Sequence, residues 1–119
     1  MKKLTLYCFL VLMLCNVGIT EEQNILGTSW KITESDGDIK LVKFKKGNSC
    51  SYSNIKSYSG NEGKIYDNCE WAQNGNAIVF HMNNYFIIRT AIIYGATMEG
   101  YFVSSYNDGV KGTFIGTKN

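Results

Sequence analysis

Residues 74–84 have the sequence NGNAIVFHMNN, and this stretch decides the fold class of the chain. The Asn-Gly pair at its start is a strong signal for a tight hairpin turn, and Asn83-Asn84 marks a second turn. Between them, Ile78, Phe80 and Met82 recur at every second position, which places them on one face of a strand. The stretch therefore predicts one β-strand held between two turns.

The same pattern recurs on both sides of this stretch. From Glu21 onward, short runs rich in Ile, Val, Tyr, Phe and Thr alternate with Gly, Asn, Asp and Ser, and no run keeps a helical apolar period. Eight strands are predicted, and connections mostly of two to six residues force antiparallel neighbours. Eight antiparallel strands can close a small barrel. We therefore predict an all-β, eight-stranded antiparallel up-and-down barrel, with an open sandwich as the alternative.

One irregularity is expected in the second strand. Its apolar phase slips between Leu41 and Val42, which predicts a bulge or a strongly twisted strand at that point.

The start of the chain differs from the rest. Two lysines precede an apolar run from Leu4 to Leu14, which is typical of a secretory signal and too short to cross a bilayer as a helix. We predict a helical signal peptide at residues 1–20 and one domain at residues 21–119. The bulky Leu14 argues against lipid attachment at Cys15. The mature protein is therefore expected in the periplasm or outside the cell, with no stable membrane insertion.

The formal charge of +2 belongs to this leader. Without its two lysines, ten basic residues balance ten acidic ones. A nearly neutral domain lacks the basic surface that nucleic-acid binding requires, so we expect no nucleic-acid partner.

Removal of the leader leaves two cysteines, Cys50 and Cys69, in a compartment where disulfides persist. We predict a disulfide between them, with two buried free thiols as the alternative. Their midpoint falls between Ser59 and Gly60, inside a polar loop, as expected for a bridge across an antiparallel hairpin. Two cysteines and the single His81 do not form a metal-ligand cluster, so we expect no metal and no cofactor.

Four short motifs carry a family resemblance. They are Gly27-Thr28-Ser29-Trp30 before the first strand, Asn74-Gly75-Asn76, Met98-Glu99-Gly100, and the stretch from Asp108 to Phe114. With them the chain resembles the calycins, in particular small lipocalin-like domains of exported bacterial proteins, over about 90 residues. The first motif has one residue more than the usual Gly-x-Trp. The resemblance implies the barrel and, by analogy, a binding role, without naming ligand-contacting residues.

Catalytic motifs are missing from the sequence. His81 is the one histidine, no serine lies in a Gly-x-Ser-x-Gly elbow, and strand parity turns His81 outward. Asp67 shares the parity of Cys69 and Trp71, which predicts an inward carboxylate. A convincing acid–base pair is absent, and we predict that the protein is not an enzyme.

Arg89, the single arginine, lies in a strand with apolar residues on both faces, so its direction stays open. If it points inward with Tyr85, it is a buried cation that needs Asp67, a tryptophan ring or a ligand carboxylate as its partner. If it points outward, Ile88 and Ile92 belong to the core face.

The predicted function is binding of an apolar or aromatic small molecule in a pocket at one mouth of the barrel. We expect Trp30, Trp71, Tyr85 and Arg89 to line it. A fully packed core is the competing use of the aromatic residues. The alternative function is a protein-interaction module, such as a periplasmic protease inhibitor or an envelope accessory protein, that uses the loop at residues 57–63.

Overall fold

A computed structural model describes residues 24–57, 60, 62–82, 87–105 and 111–119. The strands in these ranges, in chain order, are β1 (Ser29–Glu34), β2 (Ile39–Lys45), β3 (Ser49–Lys56), β4 (Ile65–Asn74), β5 (Ala77–Met82), β6 (Ile87–Tyr94), β7 (Thr97–Ser104) and β8 (Lys111–Lys118). The all-β class and the eight strands are therefore confirmed. The predicted signal peptide lies outside the described residues. In the part of the chain that the structure describes, no helix is long and apolar enough to span a bilayer.

Each strand pairs antiparallel with the next, and β1 also pairs with β8, so the sheet closes into a barrel. Across the closing pair, Trp30 lies opposite Lys118 and Glu34 lies opposite Phe114. Closure gives both sides of every one of these strands a hydrogen-bonded neighbour, which removes exposed edges. The predicted up-and-down barrel is thus confirmed over the sandwich.

The barrel has two ends, which we name after a buried residue near each. The Trp30 end carries the β2–β3, β4–β5 and β6–β7 turns, at residues 46–48, 75–76 and 95–96. The Arg89 end carries the other four connections, of which the β3–β4 connection, residues 57–64, is the longest.

The middle of the barrel is a packed core. Phe44 and Phe80 are fully buried and meet edge to face, with ring centroids 5.4 Å apart. Trp71 packs against Phe44 at 5.5 Å, and Phe114 packs against Phe80 at 5.9 Å, also edge to face. Such pairs stabilise a core by about 0.5–1.5 kcal/mol each beyond the burial of their surface. These rings link β4, β2, β5 and β8 across the interior.

Residues 24–28 cover the Trp30 end. Ile25 and Trp30 are 1% and 0% exposed. The Trp30 indole Nε1 donates to the Thr28 hydroxyl at 2.8 Å, and the Gly27 backbone N–H donates to the Phe44 carbonyl at 2.8 Å. Trp30 is therefore a core residue that also anchors the cover of this end.

The register between β2 and β3 shifts by one residue between Ile39 and Lys40. The predicted irregularity at Leu41–Val42 lies beside this shift. Lys40, Val42 and Phe44 are the buried residues of β2. The alternation of apolar residues is interrupted because Lys40 occupies an inward position of β2.

Cys50 in β3 and Cys69 in β4 are directly opposite each other and form the predicted disulfide, with their Cα atoms 4.8 Å apart. Both are buried. The bridge is consistent with the oxidising, exported location that the sequence predicts.

Candidate functional site at the Arg89 end

Three charged side chains meet inside the Arg89 end. Glu34 of β1, Lys40 of β2 and Arg89 of β6 are 5%, 8% and 1% exposed. Arg89 Nη2 donates to Glu34 Oε2, and Lys40 Nζ donates to Glu34 Oε1 at 3.4 Å. One carboxylate thus accepts from two cations, and we call these three residues the charge cluster.

Strand alternation explains why the charge cluster forms. Glu34 follows Trp30 and Ile32 at intervals of two residues on the buried face of β1. Arg89 shares the buried face of β6 with Ala91. Of the two directions that the sequence left open for Arg89, the structure shows the inward one. Its carboxylate partner is Glu34, which was not among the predicted partners.

The predicted inward direction of Asp67 is wrong. The Asp67 side chain is 76% exposed, and its carboxylate lies 3.5 Å from Lys45 Nζ. The β3–β4 register shifts by one residue just beyond the disulfide, which reverses the in-out parity of the first part of β4. Tyr66 packs against the core there instead.

Aromatic and sulfur groups surround the Arg89 guanidinium. Its Cζ lies 5.4 Å from the centroid of the Phe102 ring, and Nη1 donates to Met82 Sδ at 3.2 Å. The rings of Tyr52 and Tyr66 are stacked with centroids 5.1 Å apart. This end of the barrel therefore combines a buried cation with flat apolar surfaces.

Two buried polar atoms at this end have no hydrogen-bond partner among the described residues. They are Arg89 Nε, a donor, and Asn54 Oδ1, an acceptor. Asn54 is 8% exposed and lies opposite Lys40 in the β2–β3 pairing. An unsatisfied buried polar group costs about 1–3 kcal/mol. Each atom can take a further hydrogen bond, Arg89 Nε as a donor and Asn54 Oδ1 as an acceptor.

A recess of about 200 Å³ opens at the rim of the Arg89 end. Asp38, one of its walls, has its carboxylate 3.9 Å from Lys40 Nζ, so the recess adjoins the charge cluster. Residues of the β1–β2 turn and of the end of β3 line it: Asp36, Gly37, Asp38, Lys56 and Ser57.

Burial raises the pKa of Tyr52 above the usual 10.0, the nearby Tyr66 raises it further, and the positive charge of Arg89 opposes both. The folded protein therefore holds the phenolic proton more tightly than the unfolded chain does. This contribution to stability is fully present below about pH 10 and is lost as the pH rises through the folded-state pKa.

We predict that the free energy of unfolding falls less steeply above about pH 10 in Tyr52→Phe than in the wild type. Urea unfolding at a series of alkaline pH values measures the difference. Tyr94→Phe, which changes a tyrosine that is 65% exposed, is the control and should follow the wild type. Identical pH profiles for Tyr52→Phe and the wild type would contradict the prediction.

The structure describes three of the four predicted pocket residues and does not bring them together. Arg89 belongs to the charge cluster, whereas Trp30 lies in the core near the opposite end. Trp71 is half-buried and lines an open cleft of about 630 Å³ at the Trp30 end. Tyr85 lies outside the described residues.

The polar groups around Trp71 are bonded to the protein itself. Trp71 Nε1 donates to the carbonyl oxygens of Lys45 at 3.0 Å and Ser49 at 2.8 Å. The Asn48 amide donates to the Trp71 carbonyl oxygen at 3.1 Å. These bonds hold the β2–β3 turn against β4. Of the described buried side-chain atoms without a partner, none lies at the Trp30 end, so we place the candidate site at the Arg89 end.

His81 points away from the core, as the sequence predicts, but it is largely covered. Its side chain is 15% exposed, and Nε2 lies 3.2 Å from Glu70 Oε1. The pair joins β4 to β5 on the outer wall.

Three carboxylates, those of Glu34, Asp36 and Asp38, bring oxygen atoms within 4.8 Å of one another. Both Glu34 oxygens already accept from the cations of the charge cluster. The Asp36 carboxylate accepts the backbone N–H of Asp38 at 3.0 Å, which is ordinary turn geometry. We assign no metal to this group.

The predicted protein-interaction loop lies in the β3–β4 connection. The loop at residues 57–63 is described at 57, 60, 62 and 63. Exposed Ile55 and Ile65 flank it on β3 and β4.

The fold and the site define a small closed antiparallel barrel, bridged by one disulfide, with buried charges under one end. This architecture is compatible with the lipocalin-like resemblance of the sequence. No protein-family model and no curated protein matches the chain.

Proposed function

We propose that this protein is an exported, non-catalytic binding module whose site is the interior of the Arg89 end. Its ligand is an apolar or aromatic small molecule that carries a hydroxyl group. The apolar leader segment and the disulfide support the exported location.

The observation that carries the proposal is a pair of buried atoms, Arg89 Nε and Asn54 Oδ1, for which the described ranges of the chain supply no hydrogen-bond partner. A hydroxyl oxygen accepts from an N–H while its own O–H donates, so one functional group offers both kinds of bond. A carboxylate cannot donate to Asn54. It would also be repelled by the Glu34 carboxylate, which already accepts from Arg89 Nη2.

The size of the ligand follows from the recess at the rim. A cavity of about 150 Å³ can hold a benzene ring. The recess of about 200 Å³ at the rim therefore limits what enters there to about one six-membered ring. The stacked rings of Tyr52 and Tyr66 and the ring of Phe102 offer surfaces for its apolar part.

Phenol, cyclohexanol and benzoate test this ligand chemistry, in titrations of the oxidised protein followed by amide NMR shifts. We expect phenol and cyclohexanol to bind with dissociation constants on the order of 1 mM, as suits ligands of so few atoms. Benzoate should bind about tenfold more weakly. The shifted amides should belong to the Arg89 end.

A matched pair of variants locates the site. Asn54→Leu removes the acceptor and should weaken phenol binding about tenfold. Asn68→Leu changes an exposed asparagine of β4 and should leave it unchanged. The proposal fails if no probe shifts amides of the Arg89 end, or if phenol binds Asn54→Leu as tightly as the wild type.

A further inference from the structure

The outer wall formed by β5 to β8 is apolar. Six large side chains on it are 38–56% exposed. The strand register places them next to one another, since Ile88 pairs with Val103, and Thr90 pairs with both Val79 and Tyr101. We call the six the apolar wall: Val79, Ile88, Ile92, Tyr101, Val103 and Ile115.

The opposite side of the barrel has a different surface. The outward positions of β1, β2 and β3 include Lys31, Thr33, Lys43, Ser51 and Ser53. Single apolar residues on a surface are ordinary, whereas a contiguous patch confined to one wall is a feature of interaction sites. The apolar wall faces solvent, whereas the proposed ligand site faces the barrel interior, so the two are separate sites.

We propose that the apolar wall docks against the apolar wall of a second copy of this chain, related by a two-fold axis. The axis lies in the contact plane and runs across the strands, along the row formed by Val79, Thr90, Tyr101 and Thr113. Rotation about this axis places residues on one side of the row in one copy against residues on the opposite side of the row in the other copy. Ile88 then faces Ile92.

Charge complementarity supports a second copy as the partner. The acid Glu99 lies beside Ile92 and Ile115 of the apolar wall, and the base Lys111 lies beside Val103 at its border. Glu99 lies two residues from Tyr101 in β7, and Lys111 lies opposite Val103 on the other side of the central row. The two-fold axis therefore brings Glu99 of each copy about one strand spacing, ~4.8 Å, from the column that holds Lys111 of the other. Two ion pairs form, one on each side of the axis.

The shape of the surface agrees with this arrangement. A cleft of about 440 Å³ lies on the outer wall between β7 and β8, bounded by Glu99, Tyr101, Thr113 and Ile115. Tyr101 lies on the axis, so the tyrosine rings of the two copies meet there, each beside the cleft of its own copy. The nearly neutral mature chain adds little repulsion between copies.

The expected affinity is modest. Four strands at a spacing of ~4.8 Å span roughly 19 Å, and five residues along each strand at ~3.4 Å per residue span roughly 17 Å. The contact therefore covers about 300 Å² per partner, less than half of the ~800 Å² of a standard interface. We therefore expect a dissociation constant on the order of 10–100 µM.

Sedimentation velocity of the oxidised mature protein, from about 10 µM to 1 mM, measures the monomer–dimer equilibrium. Ile88→Lys should weaken dimerisation more than tenfold, because it places a charge against the partner's Ile92. Ile65→Lys, at a residue 69% exposed on β4, is the matched control and should dimerise like the wild type.

Charge reversal tests the two-fold arrangement itself. Glu99→Lys and Lys111→Glu should each weaken the dimer about tenfold, and the double variant should restore wild-type affinity. A protein that stays monomeric up to 1 mM overturns the proposal. So does a dimer that tolerates Ile88→Lys, or one whose charge variants show no restoration. None of these outcomes depends on the ligand titrations above.

Discussion

Arg89→Met should lower the free energy of unfolding by about 3–5 kcal/mol, the usual cost of removing one partner from a buried ion pair. Glu34 is 3% exposed at its side chain, and of its cationic partners in the described part of the chain it would keep only Lys40, whose ammonium lies 3.4 Å away. The loss is large beside the ~5–15 kcal/mol that holds most domains folded. Urea unfolding followed by tryptophan fluorescence measures it.

An exposed ion pair provides the comparison. Lys45→Met removes the partner of Asp67, whose side chain is 76% exposed, and should change stability by at most about 1 kcal/mol. Both substitutions remove one positive charge from an ion pair. The difference between their effects on the free energy of unfolding therefore measures the effect of burial.

A double-mutant cycle tests the coupling directly. Glu34→Gln combined with Arg89→Met leaves no uncompensated buried carboxylate. The double variant should therefore lose clearly less free energy of unfolding than the two single variants lose in total. If Arg89→Met does not fold, recovery of folding in the double variant shows the same coupling. Strict additivity of the two changes would contradict a stabilising Arg89–Glu34 pair.

Loss of the Cys50–Cys69 bridge should destabilise the barrel by about 3 kcal/mol. The bridge spans 19 residues of sequence and closes the hairpin that carries the longest connection of the barrel. Without it, the unfolded chain regains the freedom of that loop. The variant Cys50→Ala/Cys69→Ala should therefore unfold at a lower urea concentration than the oxidised wild type.

Reductant separates this effect from packing losses at the two alanines. A reducing agent added to the unfolding buffer should shift the wild-type transition and leave that of the double alanine variant unchanged. Thiol alkylation of the unreduced protein should label neither Cys50 nor Cys69. If reductant leaves the urea unfolding transition of the wild type unchanged, the bridge adds nothing to stability.

The barrel could be predicted because its strands obey a two-residue period. Ile78, Phe80 and Met82 are all buried, as their alternation indicates. Turn residues set the connections, and short connections left antiparallel pairing as the only arrangement. The disulfide followed from two cysteines placed symmetrically about a polar loop. Each of these signals is local, so no knowledge of distant contacts was needed.

The charge cluster could not be predicted in the same way. Glu34 and Lys40 stand beside the turn at Asp36-Gly37, where charged residues normally face water, although the inward parity of Trp30 and Ile32 continues to Glu34. Arg89 and Glu34 are 55 residues apart, and only barrel closure brings them together. Asp67 was misplaced because a one-residue bulge reverses parity without leaving a mark in the sequence.

The pairing of β1 with β8 has a consequence for how this chain reaches its native state. During synthesis from the amino terminus, the incomplete sheet has two unpaired strand edges, those of β1 and β7. They stay unpaired until Lys111–Lys118 has been made, because this segment pairs with both strands. Contacts between such distant segments form slowly and leave intermediates prone to sticking together. Strand β8 therefore completes the barrel. A chain truncated before β8 would lose barrel closure as a whole and would not merely fray at one edge.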